Sequence, residues 1–552
     1  MPLDQVVATI AQSPARSEPI IPDPSTAQSM NISNEPSSYL GDHTLLAHDA
    51  VTETCPTSAI LPLFTPQTNS LLQFAQATVL PKSQLVAALT ESYFQNVFAR
   101  YPVAERSDLA DSECSTLLRQ SICMAGSLMR HSSKSGELAF SHSLYEKMKV
   151  MLFLNQDPDP IENLASLCLM ICWSPNTTDV YSFDCPWQWT GTAIRLAVQM
   201  GLHKESTYLG RPQAARLRRL WWILMNADRL QSACFGRPLA VRPSDSDTRL
   251  PSNADFEKED IASLVFIHYP GVTVIWGEIA DFGVRGASAT AADIERLTCA
   301  LCAWITSLPE EIRLYDSCGN RLAYRQSVSE LHMVYFVAII LLEALRLRKH
   351  DQFSSSIPSI IAASCIARLI EEVDCWDDLS SMSSTSTFYI MAACIPILYY
   401  RSSLTKKKEA RQEELQIICS ALEQMAPRWG GAFVVRRNIE KIRNMVERHP
   451  SGQHHDVSDQ ASLGSPGYES QQSKIKEIFP FPQSLCPNMD LLNEDCNGLL
   501  DFDSMILPLG DDTLPWAFME SESTFDIFKM NLSTEAFPLV DEPFGTLPPG
   551  TQ

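Results

Sequence analysis

The stretches WTGTAIRLAVQMG at residues 189–201 and RLRRLWWILMNADRLQSACFGRPLA at residues 216–240 decide the fold of this chain. In both, apolar residues recur every three or four positions, which is the period of a helix with one buried face. The first stretch ends at Gly201, which can adopt the left-handed conformation that closes a helix. The second ends at Gly236 and Pro238, which stop its helix. The two stretches therefore predict consecutive amphipathic helices.

The second predicted helix carries a carboxylate on its apolar side. Asp228 follows Leu224 by four residues and so shares the stripe that faces the core. A buried carboxylate needs a cationic or hydrogen-bonding partner. We expect that partner to be Arg195 on the preceding helix or Arg237 in the Gly-Arg-Pro turn. Such a pair would be a scaffold contact, and the alternative is that Asp228 contacts a ligand.

Helical periodicity continues on both sides of these stretches, from residue 83 to residue 448. Strand-like alternation is rare there, and the breaks fall at clusters of Pro, Gly and Asn. Hydrophobic residues make up 45% of the 552 residues, which is enough to bury a large core. The sequence therefore predicts an all-α, multi-helix domain over residues 83–448.

The flanks of this domain have a different composition. Residues 1–82 are rich in Pro, Ser and Thr and sustain no apolar period, so they are predicted to be a disordered arm. Residues 449–489 lose the helical period, which indicates a linker.

Residues 490–552 combine acidic and aromatic residues. They hold 13 acidic residues against one basic residue, Lys529. The acidic residues keep such a segment solvated, and its exposed aromatic side chains can dock in the groove of a partner. The expected anchors are Trp516, Phe518, Phe525 and Phe528. The composition favours an acidic-hydrophobic activation segment, and the alternative is an acidic tail that only solubilises the chain.

Charge and apolar runs exclude several classes of protein. A net charge of −22 argues against a basic module wrapped on DNA along its whole length. The apolar runs at 333–342 and 389–400 are shorter than the ~20 residues of a membrane span, so we expect buried helices and no membrane partner. Nucleotide-binding and hydrolase motifs are absent, which indicates that the chain is not an enzyme.

Candidate metal ligands are few in this sequence. The one Cys-x-x-Cys pair, Cys299 with Cys302, lies in an apolar helical run and lacks the further ligands of a closed zinc site. We expect both to be core thiols. The acidic clusters around Asp374 and Asp245 do not place several carboxylates on one helical face, so a metal-dependent helical enzyme is disfavoured.

The order of these features resembles the fungal-specific transcription factor domain, the middle region of fungal zinc-cluster regulators. The resemblance covers roughly residues 85–350 and is closest to cutinase transcription factor-like regulators and regulators of secondary-metabolite gene clusters. The signature residues are Trp189, Gly191, Arg195, Gly201, Arg219, Trp221, Trp222, Asp228, Arg229, Gly236, Arg237 and Pro238. The resemblance implies an all-α regulatory domain, a nuclear location and a transcriptional role. It also implies restraint of an activation segment and, in some members, sensing of a small-molecule effector.

The chain departs from the family at its N-terminal end. The family reads DNA with a six-cysteine, two-zinc cluster, but only Cys55 precedes the helical region here. We therefore expect no cofactor in this chain, with zinc only if an N-terminal cluster is missing from the sequence. The expected function is activation of metabolic or secondary-metabolite genes together with a DNA-bound partner protein, the tail recruiting co-activators or transcription machinery. The alternatives are a ligand-binding helical module and a truncated zinc-cluster activator whose DNA-binding exon is missing.

Overall fold

The computed structural model describes residues 38–39, 66–110, 114–130, 137–174, 182–286, 289–347, 352–353, 355–400, 404–448, 467–492 and 507–508. These residues are predominantly helical, which confirms the predicted all-α class. Regular strand pairing in this part of the chain is limited to two-residue strands, β1 (Gln352–Phe353) and β2 (Leu507–Pro508), which are antiparallel.

The described residues form sixteen α-helices. They are α1 (Pro66–Phe74), α2 (Ser83–Asn96), α3 (Arg106–Ala110), α4 (Thr116–Leu128), α5 (Glu137–Phe153), α6 (Pro160–Met170), α7 (Pro186–Gln199), α8 (Ala214–Phe235), α9 (Ile261–Val284), α10 (Ala291–Ser307), α11 (Gln326–Leu347), α12 (Ile357–Cys375), α13 (Ser386–Tyr399), α14 (Thr405–Met425), α15 (Gly430–Arg448) and α16 (Gly467–Ile478). Short 3-10 turns lie between several of them, including Glu205–Tyr208, Asn253–Asp255 and Pro487–Leu492.

Local sequence explains where many of these helices begin and end. Ser115 caps α4, its hydroxyl accepting a hydrogen bond from the third backbone N–H of the helix. Asp159 caps α6 by accepting a hydrogen bond from the N–H of Ile161, the second helical residue, and Pro160 suits the first helical position because no N–H is needed there. Gly201 and Gly236 both have positive φ, 78° and 62°, as predicted for the ends of α7 and α8.

Helices α8 and α9 lie at the centre of the fold. On one side α8 packs on α6 and α7, and on the other it packs along α9. Helix α9 contacts α11, which in turn contacts α12 and α13, while α14 and α15 cover the far side. A continuous hydrophobic core runs through all of these helices, so the N-terminal and C-terminal helices share one interior.

The predicted disordered arm, residues 1–82, contains the helix α1 near its end. Leu72 of α1 is buried, and Ala77 beyond it is fully buried. The prediction is wrong for residues 66–82 because nine residues are too few to show a helical period, and docking on the core stabilises the segment. Residues 1–65 lie outside the described part, apart from 38–39.

The predicted linker, residues 449–489, is also ordered over much of its length. It contains α16 and an irregular segment, residues 478–492, that we call the C-terminal strap. Its buried residues are Ile478, Phe479, Leu485, Cys486, Asn488, Leu491 and Leu492. Phe479 and Phe481 alternate with prolines, so the segment has no helical period. Its order depends on a groove formed by distant helices, which the local pattern does not reveal.

Two helices are long and apolar enough to cross a membrane by length and composition, namely α9 and α11. Within the apolar 18-residue stretch of each helix, 72% of the residues of α9 and 94% of those of α11 are buried inside the protein. Both helices are enclosed by other helices of the same domain. Helix α11 contains the run at 333–342, for which the sequence predicts a buried helix, whereas α9 lies outside the two runs from which buried helices are expected. Both helices are apolar because neighbouring helices surround them.

A buried histidine makes the stability of this fold sensitive to acid. His332 of α11 is 1% exposed, and its Nδ1 donates a hydrogen bond to the carbonyl of Val328 at 2.9 Å. Burial lowers the pKa of His332 to about 4. The unfolded chain binds this proton near pH 6.5, so the neutral side chain stabilises the fold above that pH. That stabilisation is lost as the pH falls from about 6.5 towards 4.

We predict that His332→Gln flattens the acid dependence of stability. The His332 contribution to the unfolding free energy of the parent should fall by about 2 kcal/mol between pH 7 and pH 5. The variant lacks that loss, which denaturant titrations at the two pH values would measure. His142→Gln is the matched control, since the side chain of His142 is 57% exposed. Equal acid dependence in the parent and His332→Gln would contradict the prediction.

Candidate functional site

The signature helix α8 carries three arginines whose side chains are buried. Together they bind the segment after α2, helix α6, the turn at Glu205–Tyr208 and the loop before α9. Arg216 donates to the carbonyl of Val103 at 2.8 Å and pairs with Glu162 at 2.7 Å. Arg218 pairs with Asp255 at 2.9 Å and with Glu205 at 2.7 Å. Guanidinium groups inside a protein must have acceptors, and these contacts supply them.

Arg219, the signature arginine, holds two chain segments that are far apart in sequence. Its Nε donates to the carbonyl of Pro102 at 3.0 Å, and another nitrogen donates to the carbonyl of Asp255. Its guanidinium group also lies 5.3 Å from the ring centre of Phe256. Arg219 therefore connects the segment after α2 to the loop before α9, which is a structural role.

Two of the three signature tryptophans, Trp189 and Trp222, are fixed by polar contacts at their edges. Trp189 of α7 donates from Nε1 to the hydroxyl of Tyr145 at 3.0 Å. Trp222 donates from Nε1 to the carbonyl of Arg249 at 2.7 Å. Trp221 is fully buried in the core. These rings orient α7 and α8 against their neighbours, and they do not line an open site.

Asp228 is buried as predicted, but its partner is the backbone. Its carboxylate accepts hydrogen bonds from the N–H groups of Ala240 at 3.0 Å and Val241 at 3.2 Å. Burial raises the pKa of Asp228, and these two bonds oppose that effect. The prediction of an ion pair with Arg195 or Arg237 is wrong. The chain folds back after the turn that contains Gly236 and Pro238. This brings the N–H groups of Ala240 and Val241 within hydrogen-bond distance of the carboxylate.

Both predicted arginine partners lie elsewhere. Arg195 points outward from α7 and is exposed. The guanidinium group of Arg237 lies between two aromatic rings, 4.9 Å from the centre of Trp187 and 5.0 Å from that of Phe235. Stacking on aromatic faces stabilises a guanidinium group without a carboxylate.

Arg229 is an unusual member of the signature. Burial lowers its pKa to about 10, and its guanidinium group lies 5.3 Å from the ring centre of Trp222. Gly277 of α9 allows the stem of Arg229 to pass, since a Cβ at position 277 would lie 2.9 Å from its Cγ. Gly191, another signature glycine, has open space around its Cα and meets no such constraint.

The predicted pair of core thiols is only partly in the core. Cys299 is exposed and contacts the carboxylate of Glu295, whereas Cys302 is half-buried. The buried face of α10 instead carries Leu297, Leu301 and Trp304, so Cys299 lies on the opposite side of the helix. Within the described ranges, no group of three or more His, Cys, Asp or Glu side chains is placed to hold a metal ion.

A cavity of about 90 Å³ lies beside α8, where this helix approaches α13. Ala227, Leu230 and Gln231 of α8 form one wall. Much of the remaining lining is apolar, with Met129, Ile171, Phe235 and Phe388. Gln231 donates from Nε2 to Thr190 at 2.9 Å, but its Oε1 is buried and accepts no hydrogen bond within the described part of the chain. An acceptor left free in this way suits a ligand that donates a hydrogen bond.

Charged and hydroxyl groups form the other end of the cavity. Arg100 pairs there with Glu330 of α11, and it also donates to the carbonyl of Asn96 at 3.1 Å. Ser384 and Thr385, at the start of α13, add hydroxyl groups. The arrangement therefore combines an apolar wall with a polar end, which is the usual design of a small-molecule site.

The sequence did not predict this cavity or the acceptors of the buried arginines. Asp255 could have been found, because Ser252 and Asp255 have the Ser-x-x-Asp spacing of a capping box, which the structure contains. Gln231 and Arg100 carry no such local signal, since they are 131 positions apart and meet only in the fold. The four tail anchors, Trp516, Phe518, Phe525 and Phe528, lie outside the described residues.

The described residues thus form an all-helical domain held by buried arginines, with a small cavity beside its signature helix. Residues 90–268 match the family of the fungal specific transcription factor domain. This match confirms the resemblance found in the sequence.

Three curated relatives show the breadth of the family. The acetamidase regulatory protein of Aspergillus fumigatus is 25% identical over 67% of this chain and 50% of its own length. The cutinase transcription factor 1 alpha of Fusarium vanettenii is 22% identical over 66% of this chain and 44% of its own. The fusaric acid cluster transcription factor of Gibberella moniliformis is 23% identical over 46% of this chain and 42% of its own length.

The chain spans about half the length of the curated relatives it matches most strongly. Both the domain family and these relatives are transcription regulators and not enzymes, which confirms the expectation from the missing catalytic motifs.

We predict that Asp228→Ala destabilises the domain by about 1–3 kcal/mol, because two backbone N–H groups lose their acceptor. Arg195→Ala, at the exposed signature arginine, should change stability by less than about 0.5 kcal/mol. Urea unfolding followed by circular dichroism would measure both variants. A large loss of stability for Arg195→Ala, or no loss of stability for Asp228→Ala, would contradict the backbone-anchoring role of the carboxylate.

Proposed function

We propose that this chain is a nuclear transcriptional activator of fungal metabolic or secondary-metabolite genes. The observation that carries the proposal is the match of residues 90–268 to a transcription factor domain. It is supported by relatives named as regulators of acetamidase, cutinase and a fusaric acid cluster. In this proposal the helical domain regulates, and the acidic residues 490–552 recruit co-activators or the transcription machinery.

The position of the strap supports a regulatory link between domain and tail. The strap ends at Leu492 on the surface of α12, and Asp490 pairs with Lys407 of α14 at 2.6 Å. Further along the acidic segment, Leu507–Pro508 pairs with β1, so the described part of this segment is held against the domain at two points. A partner bound to the tail would lie near the helical domain, where the state of that domain could affect it.

We predict that replacing Trp516, Phe518, Phe525 and Phe528 together by Ala strongly reduces activation. Apolar anchors supply most of the contact energy when an acidic segment docks in a groove. The assay is reporter output from residues 490–552 fused to an unrelated DNA-binding domain. The matched control replaces four other apolar residues of the same tail by Ala, namely Leu539, Val540, Phe544 and Leu547. Undiminished output at equal protein levels would reduce the tail to a solubilising segment.

DNA targeting is proposed to come from a DNA-bound partner protein. Support comes from the net charge of −22 and from the single cysteine before the helical region. We predict that the 552-residue chain alone shows no sequence-selective duplex binding in gel shifts at physiological salt. Submicromolar selective binding would refute this.

The alternative to a partner protein is a truncated zinc-cluster activator. Mass spectrometry of the N-terminus of the native protein distinguishes the two. A six-cysteine cluster preceding this sequence would replace the partner with an intrinsic, zinc-dependent DNA reader.

A ligand-binding role is favoured by the cavity beside α8. We propose that it accepts a small effector with an apolar body and an N–H donor for Gln231. The hydroxyl groups at its polar end would donate hydrogen bonds to a carbonyl group, so a short primary amide fits the site chemically. This role is compatible with transcriptional regulation and also stands as the alternative function of the domain.

We predict that butyramide, as a probe, binds the parent and binds Gln231→Leu at least several-fold more weakly. The substitution removes the free acceptor while it keeps a side chain of similar size. Saturation-transfer NMR at millimolar concentrations of the probe would measure the difference. Gln199→Leu, at an exposed glutamine of α7, is the control. Equal binding to all three proteins would exclude the cavity as the site.

A further inference from the structure

Two buried cysteines face each other across the contact between the strap and α12. The sulfur atoms of Cys365 on α12 and Cys486 in the strap are 3.1 Å apart. Both residues are 0% exposed. Among the described cysteines, this is the one pair whose sulfur atoms lie within hydrogen-bond distance. A disulfide needs about 2.05 Å, so the two sulfurs would have to approach by roughly one ångström.

Contacts on both sides hold this part of the strap in place. Asn488, two residues beyond Cys486, donates to the hydroxyl of Ser364 at 2.6 Å. At the start of the strap, Tyr335 donates to the carbonyl of Ile478 at 2.6 Å. The first bond joins a neighbour of Cys365 to a residue close to Cys486, and the second fixes the start of the strap, so the docked strap holds the two sulfurs side by side.

The docked thiols are protected from oxidants. Neither side chain is exposed, and burial raises the pKa of Cys365 well above its ordinary range. A thiolate is the reactive form, so the docked pair is inert. When the strap lifts from its groove, Cys486 is exposed to solvent and becomes the first of the two to react.

We propose that Cys365 and Cys486 form a reversible disulfide in the presence of a hydroperoxide, which fixes the strap to α12. This goes beyond the proposed transcriptional function, since it concerns the contact between domain and strap whatever the tail recruits. The bond would join two residues that are 121 positions apart in the sequence. A cross-link of that span restricts the unfolded chain and prevents the strap from lifting.

The chemistry balances with hydrogen peroxide as the oxidant. The deprotonated sulfur of the exposed Cys486 attacks one peroxide oxygen, the O–O bond breaks, and the leaving hydroxide becomes water by taking up the proton that the thiol released. Cys486 is then a sulfenic acid. After the strap docks again, the sulfur of Cys365 attacks that of Cys486, the S–O bond breaks, and hydroxide leaves as water with the proton of Cys365. The two thiols lose two electrons in total, and one peroxide is reduced to two waters.

Peptide mapping of the full chain tests the bond directly. The protein is treated with hydrogen peroxide, the remaining thiols are blocked with N-ethylmaleimide, and the digest is analysed without reductant. We expect a peptide pair joined through Cys365 and Cys486 that disappears after dithiothreitol. If exposed Cys318 and Cys375 are oxidised while no such pair forms, or if Cys486 joins another cysteine, the proposal is overturned.

A second measurement tests whether the bond fixes the strap. Oxidation should raise the melting temperature of the parent by about 3–6 °C and slow cleavage of the strap by a protease. Cys486→Ala should show neither effect, and Cys394→Ala, at a buried thiol of α13, should behave like the parent. The same shift in Cys486→Ala would overturn the locking role. These readouts involve no reporter or DNA, so the proposed transcriptional function can fail separately.

Discussion

Three guanidinium groups on α8 lie inside the protein, and each needs the acceptors that water would otherwise supply. Arg216, Arg218 and Arg219 find them on three separate segments, namely the loop after α2, the turn at Glu205–Tyr208 and the loop before α9. Those segments can take only positions that bring a carbonyl or carboxylate to α8. The placement of these segments against α8 is therefore constrained by the burial of these charges, whose separation from their partners would be costly.

The cavity and the signature share the same helix, which explains why a structural motif can border a binding site. The N-terminal half of α8 carries the buried arginines and Trp221 and Trp222, while Ala227, Leu230 and Gln231 in its C-terminal half line the cavity. The rigid packing of the first half holds the cavity wall in position. Pre-organised walls of this kind reduce the free energy that a ligand must spend on ordering its site.

The strap extends this arrangement to the C-terminal part of the chain. Its aromatic residues pack on α11, with Phe479 stacked on Phe336 at a ring distance of 6.2 Å. Lys407, part of the basic run at 406–408, is engaged by Asp490 and Asn488 of the strap. Docking therefore buries apolar side chains and uses part of a basic run that the sequence alone leaves free. The domain and the start of the acidic tail thus form one connected unit.

The sequence by itself determined the helical class, the ends of α7 and α8 and the resemblance to the domain family, because periodicity, glycine stops and motif order are local properties. It also determined that Asp228 would be buried. Only the tertiary structure decided what Asp228 binds, why Arg195 does not pair with it, and how α1 and the strap become ordered. Those outcomes depend on donors, acceptors and grooves supplied by residues distant in sequence. A side chain's own neighbours in the sequence specify its need for a partner, but the packing of distant helices selects that partner.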